Sequence, residues 1–131
     1  MLLAELALAR IPGLIVTKAP IDLAFDFLVA TEQGVCFFVV VKAFSSSRHH
    51  LAAWRADEEW KWKLDAETVR HARESRNSFL LFVFDADTDL GRFLRLDTLP
   101  EPNPEDSIVR VRLPAENVIN KENLEAIIAA I

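Results

Sequence analysis

Two unbroken apolar runs, residues 35–41 and 79–84, constrain this chain more than any other feature. A strand with one wet face alternates apolar and polar side chains, so a run that is apolar at both parities belongs to a strand covered on both faces. The first run includes Val35, Cys36, Phe37, Phe38, Val39, Val40 and Val41. It is far shorter than the roughly 20 residues a helix needs to cross a bilayer. It predicts the centre of a sheet with a layer of structure on either side.

The remaining pattern supplies those layers. Residues 2–9 read as a short helix ended by Pro12 and Gly13, and residues 14–18 as a β-branched strand. Residues 22–30 alternate with period two: Leu23, Phe25, Phe27 and Val29 fall on one face, and Asp22, Ala24, Asp26, Leu28 and Ala30 on the other. A turn at residues 32–34 leads into the first apolar run. After a serine loop and a helical turn over residues 51–54, Trp60, Trp62 and Leu64 alternate with Lys61 and Lys63, a strand with its tryptophans inward. Asp65 is placed to cap a helix running to about Arg76 and burying Val69 and Ala72.

The second apolar run follows, then an acidic turn over residues 85–91 and an antiparallel partner over residues 92–96. Pro100, Pro102 and Pro104 predict a stiff exposed loop, and residues 108–113 a strand. In the last helix, capped by Asn120, the spacing of Leu124, Ile127, Ile128 and Ile131 defines one apolar stripe. No repeat or linker divides the chain, so residues 1–131 are expected to form a single domain. The expected fold class is α/β, a three-layer α/β/α arrangement around a central mixed sheet.

With 51% hydrophobic and 27% charged residues the chain has the composition of a soluble globule. Residues 1–9 lack the basic start and small-residue cleavage site of a signal peptide, and the single cysteine, Cys36, reads as a core residue in a reducing compartment. A cytoplasmic location with no membrane partner is the expectation. The net charge of −5 opposes non-specific binding to phosphate backbones. A basic stretch with Arg48, His49, His50, Arg55, Lys61, Lys63, Arg70, His71, Arg73 and Arg76 is diluted by acids and reads as a solvated mixed-charge face.

Other motifs carry bland readings. Adjacent His49 and His50 point apart, which suits a shared metal poorly. Trp54, Trp60 and Trp62 offer stacking or partner surfaces, with core packing the simpler use. Asp85, Asp87 and Asp89 have calcium-loop spacing, but Leu90 and Leu96 stand where such a loop needs glycine and glutamate.

The constellation with chemical content is Asp26 and Lys42. A three-residue turn with Gly34 left-handed puts Thr31 opposite Val35 and Asp26 opposite Val40, leaving Lys42 diagonal to Asp26 and opposite Ala24. A carboxylate and an ammonium beside a small residue suit a hydrated divalent metal and a phosphate. They equally suit an ordinary ion pair at a strand end.

The segment Ile21-Asp22-Leu23-Ala24-Phe25-Asp26-Phe27-Leu28-Val29, followed by Phe38-Val39-Val40-Val41-Lys42-Ala43, resembles the core of the restriction-endonuclease-like PD-(D/E)xK nuclease superfamily. It is most similar to small bacterial domains without an assigned function. The resemblance implies Asp26 as the metal aspartate, Lys42 as the lysine that positions or activates water, and Glu5 as an assisting helix glutamate and second metal ligand. Mg²⁺ is the implied cofactor if the site is active.

The acid expected two residues before the lysine is here Val40, which has no oxygen to offer a hard cation. The leading expectation is therefore a nuclease-like domain with absent or impaired catalysis, serving as an interaction or structural module with a second copy or a protein partner. An active Mg²⁺-dependent nuclease using Glu5 is the alternative. A subunit docking through exposed tryptophans is the third reading.

Overall fold

The structure, a computed structural model, describes residues 2–20, 24–45 and 59–131. Expectations for Asp22, Leu23, His49, His50, Trp54, the basic residues Arg48 and Arg55 and the helical turn at 51–54 fall outside the described residues. The elements are α1 (Leu2–Ala9), β1 (Ile15–Lys18), β2 (Phe27–Ala30), β3 (Cys36–Phe44), β4 (Trp60–Asp65), α2 (Ala66–Glu74), β5 (Ser78–Asp85), β6 (Gly91–Arg95), β7 (Ile108–Leu113) and α3 (Lys121–Ala130).

Five strands form a mixed sheet in the order β1-β2-β3-β5-β6, antiparallel except for the β3–β5 pair, with β3 in the middle. Its two apolar runs behave as their composition requires. At one parity Phe37 and Val39 join Leu80, Phe82 and Phe84 beneath α1 and α3, which contribute Ala4, Leu8 and Leu124. At the other, Val40 and Phe44 join Phe79, Leu81 and Val83 beneath a second layer. Each fully buried Leu or Phe contributes about 1.5–3 kcal/mol of transfer free energy, so both faces stabilise the sheet.

The second layer departs from expectation. Strands β4 and β7 do not enter the central sheet; they pair antiparallel as a separate two-stranded ribbon, Trp60 opposite Leu113 through Asp65 opposite Ile108. The ribbon packs inward through Trp60, Leu64, Val111 and Leu113, beside Val69 and Ala72 of α2. The alternation explains this: Lys61, Lys63, Arg110 and Arg112 sit at the opposite parity and are exposed, so these strands have one face that must stay wet. The molecule is a mixed α/β structure with α1 and α3 on one face of its sheet and α2 with the ribbon on the other.

Local signals are reproduced with differences. Asn120 caps α3, its side-chain oxygen accepting from the Asn123 amide at 2.7 Å. Asp65 occupies the cap position of α2 but makes no side-chain cap bond, and that helix ends at Glu74. The three-proline segment is docked, not free. Pro102 is buried, Arg70 donates to the carbonyls of Asn103 at 2.8 Å and Asp106 at 3.0 Å, and Arg73 donates to that of Leu99. Cys36, expected in the core, is only half-buried because β3 begins there. Among the described residues no helix is long and apolar enough to cross a membrane.

Candidate functional site

The β2–β3 hairpin carries two of the three residues singled out by sequence. Its turn is built as the sequence demands: Gly34 has φ +83°, in the left-handed region, and donates to the Thr31 carbonyl at 3.0 Å. Thr31 donates to the Val35 carbonyl at 2.8 Å, and its hydroxyl oxygen accepts from the Val35 amide at 3.1 Å. The register that follows pairs Phe27 with Val39.

At Asp26 the ladder changes. Its amide donates to the Val39 carbonyl at 2.8 Å, so Asp26 and Phe27 both stand against Val39, the two-against-one pattern of a β-bulge. Extrapolated period two therefore fails at this point, and Asp26 does not oppose Val40. The same shift moves Phe25 away from the face of Phe27. Phe25 packs on the ribbon side, its ring 4.3 Å from that of Phe38.

The Asp26 carboxylate has a defined partner. Its Oδ2 accepts from the Val41 amide at 2.6 Å, while the Asp26 carbonyl accepts from Ala19 at 2.8 Å. Strand pairing between β2 and β3 stops at Phe27, and the side chain serves an amide of β3 beyond that point. A charged acceptor makes a strong bond to a backbone donor, so the carboxylate is held in line with the sheet's hydrogen bonds.

Lys42 follows directly along the chain and is exposed. Its register partner Val83 belongs to the ribbon-side core, which puts Lys42 on that face. No ion pair joins Lys42 to Asp26 among the described residues, so the strand-end ion pair is not formed.

Glu5 lies elsewhere. It is exposed on α1 and lines a cleft of about 540 Å³ with Leu8, Pro12, Val16, Lys18 and Phe27, on the helix side of the sheet. Asp26 and Lys42 do not line that cleft. Val40, at the position where a second acid is expected, is 4% exposed and part of the core.

These donors do not fit a resident Mg²⁺. The ion wants several oxygen ligands in near-octahedral geometry. Here one carboxylate oxygen is bonded to an amide, the neighbouring position is apolar, and the remaining glutamate opens on another cleft. No cluster of three or more His, Cys, Asp or Glu able to hold a metal occurs among the described residues.

The other motifs resolve structurally. Trp60 is 2% exposed and Trp62 half-buried against Phe44, so neither is an exposed docking tryptophan. Asp85 is buried and accepts from the Asp87 amide at 3.0 Å, and Asp89 takes a left-handed φ of 60°, so the acidic stretch is a hairpin turn.

The sequence reading missed Arg110 and Arg112, which β7 brings opposite Lys63 and Lys61. The available signal was the alternation of residues 108–113, which puts both arginines at one parity. Comparison with protein-family models and with curated proteins found no match.

Proposed function

We propose that the chain is a nuclease-like α/β domain whose hydrolytic site is impaired and which serves as an interaction or structural module. Kinship with the restriction-endonuclease-like three-layer fold is supported by an aspartate just before β2, the antiparallel neighbour of the lysine-bearing β3, with the later apolar strand β5 parallel beside β3. A reducing, cytoplasmic setting is part of the same reading and accords with the unpaired Cys36.

The observation that carries the proposal is the engagement of Asp26 by the Val41 amide next to a core-facing Val40. A metal-assisted hydrolase must hold its ion and a water between oxygen ligands, and this hairpin offers one partly occupied carboxylate. Asp26 then acts as an acceptor that finishes the edge of β3.

Incubation of the full chain with Mg²⁺ or Mn²⁺ and with DNA and RNA, beside Asp26→Ala, tests this. No cleavage above background is expected from either protein. Cleavage that disappears in Asp26→Ala would overturn the proposal in favour of an active nuclease.

A further inference from the structure

The outer face of the β4–β7 ribbon concentrates positive charge in a net acidic chain. Lys61 lies directly opposite Arg112, and Lys63 directly opposite Arg110, so four of the 15 basic residues form a two-by-two array. Opposed side chains stand about 5 Å apart across the ribbon, and residues two apart along a strand about 7 Å apart. Like charges directly opposite one another destabilise a strand pair, and an anion laid over the array removes that cost. All four side chains are exposed, and with Trp62 and Val111 they line a shallow groove of about 410 Å³. Among the described residues, Glu59 reaches Arg112 at 3.7 Å, with the Arg112 side chain still 71% exposed, and Asp65 stands at the far end of β4.

We propose that this face is a docking surface for the phosphate backbone of double-stranded DNA. It is independent of the nuclease reading, because it concerns binding by the ribbon and not hydrolysis at the hairpin. Three observations select the occupant. An acidic protein partner would be anchored by apolar or aromatic side chains at the centre of the interface, whereas the cations occupy the centre of this face. A single strand is held by stacking on successive aromatic side chains, whereas the one aromatic residue lining this groove, Trp62, is half-buried against Phe44, and Trp60 is buried in the core. Duplex DNA has a dense line of phosphates and a major groove wide enough to admit a two-stranded ribbon, while the major groove of duplex RNA is too narrow.

The test is anisotropy of a labelled duplex with the full chain, titrated from about 50 mM salt upward, where each phosphate contact adds about 0.9 to the slope of log affinity against log salt. Four contacts give an expected slope of about −3 to −4. Lys63→Ala with Arg110→Ala should reduce it to about −2 and weaken binding at least about tenfold at the lowest salt. Arg10→Ala with Lys121→Ala changes the net charge equally from elsewhere and should leave the slope unchanged.

Melting followed by circular dichroism checks folding. If the double variant does not fold, Lys63→Gln and Arg110→Gln singly should each lower the slope by about 1. Any of four results would overturn the proposal: no duplex binding at the lowest salt, equal loss in the control variant, tighter binding of single-stranded DNA, or equal competition by a polyglutamate peptide.

Discussion

The two faces of the central sheet are covered by different materials, and the difference explains where charge is found in this molecule. On the helix side, α1 and α3 lay apolar residues on Phe27, Val29, Phe37, Val39 and Phe82. A helix pairs its own backbone groups, so such a layer needs little from its neighbours. On the ribbon side the cover is two strands, whose edges and ends present carbonyls that something else must satisfy. Arg92, 2% exposed, donates to the Leu113 carbonyl at 3.0 Å, and its guanidinium lies 4.4 Å from the centre of the Trp60 ring. A strand layer can therefore bring a cation into the core, and its outer face can be as polar as its inner face is apolar.

Truncation in the core should have the largest effect and tests whether the faces are equal structural partners. Phe82→Ala on the helix side should cost about 3–5 kcal/mol, and Leu81→Ala on the ribbon side about 2–5 kcal/mol, in urea unfolding. A ribbon-side cost below about 1 kcal/mol would mean that the ribbon and α2 do not pack as a true layer. Replacement of Arg92 isolates the polar part of the contrast. Arg92→Ala withdraws a donor from a buried carbonyl and a cation from an aromatic face, a loss of about 2–3 kcal/mol, read by the same unfolding curves. Arg92→Lys should recover only part of it, because an ammonium lacks the planar fork of a guanidinium.

The smallest effect concerns the hairpin where the two faces exchange residues. Asp26→Ala should cost about 1 kcal/mol by removing the acceptor of the Val41 amide, while Asp26→Asn keeps an acceptor and should cost less. Added Mg²⁺ should not change either melting temperature. Stabilisation of the parent chain by Mg²⁺ but not of Asp26→Ala would show that the carboxylate binds metal, through the linkage of binding to folding.

The resemblance to nucleases rests on a short segment, and the bulge at Asp26 shows why its geometry could not be extrapolated. Period two and a three-residue turn correctly pair Phe27 with Val39, yet one residue earlier in the chain the Asp26 amide also donates to Val39, and Phe25 crosses to the ribbon side. A bulge inserts one residue, and a shift of one exchanges the two faces of a strand. No composition signal marks it; alternation on either side of Asp26 is undisturbed in the sequence. The basic array was hidden for a different reason. Lys61 and Lys63 are separated from Arg110 and Arg112 by more than 40 residues, and only the pairing of β4 with β7 joins them.

The sequence by itself determined the pieces whose cause is local. Apolar residues at both parities made β3 and β5 interior strands, Gly34 set the hairpin turn, and Asn120 with a stripe of Leu and Ile made α3. Only the tertiary structure decided which strands left the sheet to form the ribbon, on which side Glu5 opens, and what the Asp26 carboxylate binds. Local patterns fix how one segment presents its side chains, whereas partners and proximity depend on how distant segments cover one another's apolar surface.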